Sequence, residues 1–196
     1  SILLQLGADV DPVSADGDTP LAMFSFKPEY YSQARLLLEW GAEISNCATK
    51  SKDEMIQMAI IQGNNKFANL VQSEFGGRRC EIVNLTNHPD LIGKTCVVEK
   101  YLPAKGRYKV VFEASGEVGL VGPENLKRRD RTPDDCGYYI SYENGRTTRI
   151  EFASKEECQA FVALLSEEED KLGDEDNNAE AEARAEQAAE SLLAEL

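Results

Sequence analysis

The sequence has little of what catalytic and metal-binding sites require. It contains one histidine, His88, and five cysteines with no C-x-x-C pair. Zinc sites usually draw ligands from closely spaced pairs, and a cysteine nucleophile needs a histidine base that a third group orients. The composition therefore argues against a zinc site and against cysteine catalysis. We expect a protein that is not an enzyme and needs no cofactor.

The scarcity of paired cysteines also bears on the compartment. The five cysteines are scattered singly along the chain, at Cys47, Cys80, Cys96, Cys136 and Cys158. Secreted disulfide scaffolds usually carry an even set, whereas isolated thiols are typical of small buried side chains in a reducing environment. We expect an intracellular protein, in the cytoplasm or, if a targeting segment precedes the sequence, inside an organelle.

Long apolar runs are missing too. No stretch approaches the ~20 apolar residues of a membrane-spanning helix, and no signal-peptide pattern opens the chain. With 42% hydrophobic and 29% charged residues, the 196-residue chain is typical of a soluble protein with one large or two small domains. We therefore expect a protein that does not span a membrane. Ser1 falls inside a repeat unit, so whether further sequence precedes it stays open.

Negative charge is concentrated at the C-terminus. The net charge is −14, and residues 167–196 hold 12 acidic and 2 basic residues. That segment therefore carries −10, which leaves −4 for the 166 residues before it. An acidic chain of this kind argues against nucleic acid as its partner.

A repeat opens the chain. Gly7-Ala8-Asp9-Val10-Asp11 recurs 34 residues later as Gly41-Ala42-Glu43-Ile44-Ser45, and each copy follows a leucine-rich helix end. Between the copies stands Thr19-Pro20-Leu21-Ala22, where Thr19 can cap a helix that has proline in its first turn. This combination resembles the ankyrin repeat, whose period is about 33 residues. A weaker third unit follows and has the character of a terminal cap.

The ankyrin resemblance implies a helical array over residues 1–75, incomplete at its N-terminus. It also implies a partner-binding groove formed by the turn tips and first helices. The candidate contact residues there are Asp16, Asp18, Met23 and Phe24. An array that serves only as a helical spacer is the alternative.

Short β-branched runs follow the helices. Runs at residues 95–98 and 108–112 flank a turn at 103–106, and a third run covers 118–121. This pattern predicts a small, strongly bent β-barrel over residues 79–130. Gly76-Gly77-Arg78-Arg79, between helical and strand periodicity, is interpreted as the linker before it.

The barrel region resembles an SH3-like module found beside ankyrin repeats or MYND zinc fingers in protist and algal proteins. The segments that carry the resemblance are Leu85, Pro89-Asp90-Leu91-Ile92-Gly93-Lys94, Val97-Val98, Gly106-Arg107-Tyr108-Lys109-Val110 and Pro123-Glu124-Asn125-Leu126. The resemblance implies a protein-interaction module without enzymatic activity. The zinc ligands of a MYND finger are absent, so that part of the family architecture does not carry over.

The aromatic residues of this region have two interpretations. Tyr108, Val110 and Phe112 alternate and so share a face of the strand, which predicts that they fill the core. Tyr101 is then the better candidate for an exposed partner contact. A shallow aromatic groove for an extended peptide is the alternative.

A basic strip supports a second hypothesis, that of an RNA-binding module. SH3-like barrels of the KOW type bind RNA, and phosphate contacts need exposed cations. The candidate residues are Arg78, Arg79, Lys127, Arg128, Arg129 and Arg131. A salt-bridging face is the competing interpretation of the same strip.

Residues 135–166 predict a ββα unit. Two alternating strands are joined by Asn144-Gly145, the strongest hairpin signal among short motifs. Ser154 and Glu157 then form a capping box that opens a helix to about Ser166. A unit of ~30 residues cannot sustain its own core, so we expect it to pack on the barrel or on another chain.

Residues 167–196 predict an acidic linker followed by an amphipathic helix. Ala181, Ala185, Ala188, Leu192 and Leu196 recur at helical spacing. Leu192 and Leu196 are therefore candidate contacts with a partner. A solvated helix or a disordered end is the alternative.

Together these patterns predict an α+β multidomain protein: a short ankyrin helical array, a small SH3-like β-barrel with a ββα unit, and an acidic helical tail. We expect a non-catalytic protein–protein interaction adaptor, or an accessory or structural subunit of a larger complex. Its expected partner is an unidentified protein, which can belong to a large multi-subunit assembly.

Overall fold

The structure, a computed structural model, describes residues 2–134, 137–141 and 147–172. The predicted Asn144-Gly145 turn and the contact candidates Leu192 and Leu196 lie outside these ranges. Within them the chain is mixed α and β, with several helices and a five-stranded antiparallel sheet. No helix in this part of the chain is long and apolar enough to cross a membrane.

Helices fill the first part of the chain. Their bounds are α1 Ile2–Gln5, α2 Pro20–Ser25, α3 Tyr31–Glu39, α4 Lys52–Ile61 and α5 Asn65–Gln72. The Thr19 hydroxyl accepts a hydrogen bond from the Ala22 amide (3.3 Å), so the predicted cap of α2 is confirmed. Helix α4 begins with a capping box between Ser51 and Glu54. Leu21, Leu38 and Phe67 anchor the core that these helices share.

The sheet contains β1 Arg79–Ile82, β2 Thr95–Leu102, β3 Arg107–Phe112, β4 Val118–Val121 and β5 Leu126–Arg128. Its strands lie in the order β4-β3-β2-β1-β5, all antiparallel, and β2 carries a register shift between Val98 and Lys100. Strands β4 and β5 form opposite edges, so no closed barrel is found among the described strands. Both edge strands are short, and the Arg128 side chain of β5 donates to the carbonyl of Gly41, which follows α3 (3.1 Å).

The predicted linker is a packed junction. Gly76 and Gly77 are buried, and the Gly77 amide donates to the Val98 carbonyl of β2 (3.0 Å). Gly77 has φ +75°, and a Cβ there would lie 2.7 Å from Leu38 Cδ1. The two glycines therefore allow close approach between helices and sheet. They do not form a loose spacer.

The ββα unit consists of β6 Gly137–Ser141, β7 Thr147–Glu151 and α6 Lys155–Leu172. Helix α6 continues six residues beyond the predicted end at Ser166, because no helix breaker occurs before Gly173. The unit packs on the first helix: Ile2 joins its core, and the Gln5 side chain donates to the Gly137 carbonyl (2.6 Å). The prediction named the barrel or another chain as the packing partner, whereas the core of the unit packs on α1. Its contact with the sheet is made by Tyr139, whose hydroxyl accepts a hydrogen bond from Arg79.

Candidate interaction surfaces

The predicted turn-tip residues of the helical region have different environments. Asp16 is exposed, whereas Asp18 accepts hydrogen bonds from Lys50 Nζ (2.7 Å) and Thr49 Oγ1 (2.5 Å). The Lys50 and Thr49 contacts lower the pKa of the Asp18 carboxyl below its usual value. Asp18 therefore ties two neighbouring loops together, while Asp16 is free to meet a partner.

The two predicted contact residues on α2 also differ. Met23 is 56% exposed. Phe24 is half-buried against the helical core, and its ring lies 5.2 Å from that of Tyr30. Of this pair, Met23 is the side chain available to another protein.

The sequence interpretation missed three exposed apolar residues on α4. Met58, Ile60 and Ile61 are 38%, 48% and 77% exposed. The repeat offset of 34 residues makes Gln57 the counterpart of Met23, and Gln57, Ile60 and Ile61 share a helix face because they are spaced i, i+3 and i+4. Helices α2 and α4 contact each other. We call Met23, Met58, Ile60 and Ile61, the exposed large apolar residues of these two helices, the α2/α4 surface. The repeat offset could have identified Ile60 and Ile61, but not Met58.

In the sheet, the predicted core residues are confirmed: Tyr108, Val110 and Phe112 are all buried. Tyr101 is 36% exposed, and its ring lies 4.8 Å from that of Tyr108. One side of the Tyr101 ring therefore packs on the core, and the remainder is accessible.

Half of the six cations of the basic strip are buried inside the protein. Arg78, Arg79 and Arg131 are at most 5% exposed. Arg78 donates to the Leu38 carbonyl (3.2 Å) and lies 3.6 Å from Glu43. Three of the six proposed phosphate contacts therefore point into the protein.

The other three cations of the strip are more accessible. Arg128 is half-buried and bound to Asp130 (2.8 Å) and to Glu43. Arg129 is exposed and pairs with Glu81 (2.9 Å), and Lys127 is exposed. The salt-bridging interpretation of the strip fits these contacts, although Lys127 and Arg129 still reach solvent.

Two of the buried arginines belong to a network that we call the charged junction, made of Glu39, Arg79, Glu113, Arg131 and Tyr139. Glu113 accepts from Arg79 (2.8 Å) and from Arg131 (2.9 Å). Arg131 also lies 3.0 Å from Glu39 of α3. Arg79 donates to the Tyr139 hydroxyl (2.9 Å), and the Arg131 guanidinium stacks 4.0 Å from the Tyr139 ring centroid. The helices, the sheet and the ββα unit therefore meet at one cluster.

The two carboxyls of the charged junction are affected differently. Burial would raise the pKa of Glu113, but Arg131 and Arg79 outweigh it and hold this pKa below its ordinary value. Burial raises the pKa of Glu39 above its ordinary value. Arg131, which Glu39 shares with Glu113, and the more distant Arg35 (3.9 Å) lower this pKa, but not enough to offset burial. Glu113 is thus the carboxylate on which the junction depends.

Two of the described cysteines, Cys80 and Cys96, lack the environment of a reactive thiol. Cys47, Cys80, Cys96 and Cys158 are buried. Burial raises the pKa of Cys80 to about 12 and also raises that of Cys96, its cross-strand neighbour. Thiols act as nucleophiles in their deprotonated form, so these two side chains serve packing. Across residues 2–134, 137–141 and 147–172, no cluster of three or more His, Cys, Asp or Glu residues could hold a metal ion.

Comparison of the chain with protein-family models, with curated proteins and with solved structures finds no match.

Proposed function

We propose that the protein is a non-catalytic protein–protein interaction adaptor, or accessory subunit of a larger complex, and that it binds its partner through the α2/α4 surface. The observation that carries this proposal is the exposure of Met23, Met58, Ile60 and Ile61 on two neighbouring helices. Single exposed apolar residues are ordinary on soluble proteins, but a group of large ones marks an interaction site. Methionine suits such a surface because its flexible thioether adapts to different partners.

The charged junction supports the same proposal. It joins the helices to the sheet and to the ββα unit through buried ion pairs around Glu113. Units held in fixed relation can present one composite surface, which lowers the ordering cost of binding. A partner that contacts both helices and sheet would therefore find its contact points preorganised.

Two resemblances add to the proposal. The 34-residue repeat and the capped helix at Thr19 support an ankyrin array, in which first helices bind partners. An SH3-like module is supported by the antiparallel order β4-β3-β2-β1-β5, in which β5 returns to pair with β1. The register shift in β2 and the 3₁₀ turn at Pro123–Asn125 before β5 add to this support. Both are interaction modules without enzymatic activity.

The test compares two single substitutions of exposed isoleucines in affinity purification from native extract, with quantitative mass spectrometry. Ile61→Asp lies on the α2/α4 surface, whereas Ile92→Asp, at a residue 49% exposed, lies on a loop of the sheet region. Losing the burial of one isoleucine costs about 1.5–3 kcal/mol, which corresponds to a loss of about tenfold or more in affinity. We expect the specific partners to be depleted by Ile61→Asp and retained by Ile92→Asp.

Circular dichroism provides the folding control, since both variants should keep the wild-type spectrum. Equal recovery of every specific partner with the two variants would show that the α2/α4 surface is not the binding site.

A further inference from the structure

The hairpin formed by β2 and β3 carries most of the unpaired positive charge of the sheet. Residues 99–109, which we call the basic hairpin, contain four cations and one carboxylate. Lys109 pairs with Glu99 (2.5 Å). Lys100, Lys105 and Arg107 are exposed and form no ion pair with the residues that the structure describes.

Strand pairing brings Lys100, Arg107 and Lys109 onto one side of the sheet, and Lys105 lies in the turn that joins the two strands. Cross-strand partners share a face, and Lys100 is paired with Lys109, while Arg107 is paired with Leu102. Two residues apart on β3, Arg107 and Lys109 also share that face. Lys109 is already paired with Glu99, so Lys100 and Arg107 are the cations of this face that an anion could pair with.

The same face is apolar along β4. Leu120 is the cross-strand partner of Lys109, and Val118 is the partner of Val111. Val118 and Leu120 are 58% and 40% exposed. Glu117 and Glu124 flank the two ends of β4, which confines the positive charge to the side of the basic hairpin. The face thus combines apolar side chains with cations at one border.

We propose that this face binds the chain's own acidic C-terminal segment, residues 174–196, in cis. The segment contains eight acidic residues and one basic residue, and its last five residues include Leu192, Leu193 and Leu196. Its carboxylates meet Lys100, Lys105 and Arg107, and its leucines cover Val118 and Leu120. The occupant therefore matches the face in charge and in apolar content.

Tethering favours this occupant over a free one. Residues 173–196 can span up to ~80 Å, compared with a diameter of about 40 Å for a compact body of this size. A tethered ligand has an effective concentration on the order of millimolar. Any external polyanion must instead approach a chain of net charge −14.

Carbodiimide cross-linking of the full chain, followed by peptide mass spectrometry, tests the proposal directly because it joins lysine amines to nearby carboxylates. Cross-links from the acidic segment to Lys100 and Lys105 should exceed those to the exposed controls Lys52 and Lys127 by about tenfold or more. They should decrease steeply at about 1 M salt, where surface charges are screened. Even distribution over all four lysines would overturn the proposal.

Two further measurements separate the other occupants. In a mixture of isotopically labelled and unlabelled protein, cross-links within single molecules support docking in cis, and cross-links between molecules overturn it in favour of a second copy. A polyuridine probe should not bind the full chain. Binding that is lost in Lys105→Glu/Arg107→Glu would overturn the proposal in favour of RNA.

Substitution of the leucines separates docking from mere charge attraction. Leu192→Asp/Leu196→Asp makes the segment more acidic, so attraction by charge alone predicts more cross-linking to the basic hairpin. The proposed docking predicts a decrease of about tenfold or more, because the apolar contacts with Val118 and Leu120 are lost. An increase, or no change, would overturn the proposed contact.

Discussion

Two groups of cations lie in the sheet region, and the structure uses them in different ways. Arg79 and Arg131 of the charged junction are buried between carboxylates, whereas Lys105 and Arg107 of the basic hairpin face solvent. The difference follows from what faces each group: Glu39 of α3 and Glu113 after β3 meet the arginines. Whether a cation faces a carboxylate from another element therefore decides its role: it either links two parts of the fold or remains accessible to a ligand.

The chemistry of arginine suits the junction. A guanidinium offers five donors in a planar arrangement and stacks on aromatic rings. Arg131 uses both properties, since it contacts Glu39 and Glu113 and stacks on Tyr139. A lysine ammonium is a compact, strongly hydrated charge and could not replace it there.

Removing the central carboxylate of the charged junction should cause the largest loss of stability. Glu113→Ala leaves Arg79 and Arg131 buried without their shared partner, and loss of one member of a buried ion pair costs about 3–5 kcal/mol. Urea unfolding followed by circular dichroism measures this loss. Glu117→Ala is the matched control: it removes an exposed glutamate four residues away and should change stability by less than about 0.5 kcal/mol. Similar effects of the two substitutions would contradict the role assigned to the junction.

Alanine substitutions of two glycines test whether the segment between α5 and β1 is more tightly packed than the basic hairpin. A Cβ on Gly76, in the segment between α5 and β1, would lie 1.6 Å from the Leu70 carbonyl oxygen. A Cβ on Gly106 of the basic hairpin would meet nothing within 4 Å. Gly76→Ala should cost about 3 kcal/mol through forced backbone movement. Gly106→Ala should cost only about 1 kcal/mol, because its φ of +60° disfavours a side chain. Thermal unfolding of both variants checks this order; an equally tolerant Gly76 would indicate a loose linker there.

Acid should weaken the junction through Glu113. Its pKa is lower in the folded protein than the ordinary value of 4.5, so its ionised form stabilises the fold above pH 4.5. This contribution is lost as pH falls below 4.5 through the lowered pKa. The raised pKa of Glu39 acts in the opposite direction, since protonation relieves the cost of its buried charge. The stability difference between wild type and Glu113→Gln should therefore shrink below pH 4.5, as urea titrations at several pH values would show; a constant difference would exclude this linkage.

The basic hairpin should tolerate loss of charge. Lys105→Gln/Arg107→Gln removes two exposed cations without ion pairs in the described part of the chain, and surface changes of this kind usually alter stability by less than about 0.5 kcal/mol each. Differential scanning calorimetry measures the effect. A loss comparable to that of Glu113→Ala would mean that the hairpin cations have a structural role as well.

Local patterns made much of the fold predictable. Thr19 and Pro20 mark the start of α2 because capping depends on residues only three positions apart. The alternation of Tyr108, Val110 and Phe112 likewise identifies the inner face of β3. These features need no knowledge of distant parts of the chain.

The junction could not be predicted in this way. Arg79 finds Glu113 34 residues away and Tyr139 60 residues away, and a run of arginines has the same appearance whether it faces a carboxylate or solvent. Gly76-Gly77 likewise has the sequence pattern of a linker, and only the packing of Leu38 and Leu70 reveals the lack of space around it. The acidic composition after Ser166 predicts a linker, but residues 167–169 are glutamates, which are good helix formers, and α6 continues through them.

The single tryptophan of the chain provides an optical view of this architecture. Trp40 is buried, directly between Glu39, which contacts Arg131, and Gly41, whose carbonyl accepts from Arg128. Its fluorescence therefore originates from a single buried residue, whose two chain neighbours contact Arg131 and Arg128 where helices and sheet meet. Separation of the two would shift the emission to longer wavelength even where the helices themselves stay intact. The native chain thus carries its own spectroscopic reporter, without a dye or an introduced label.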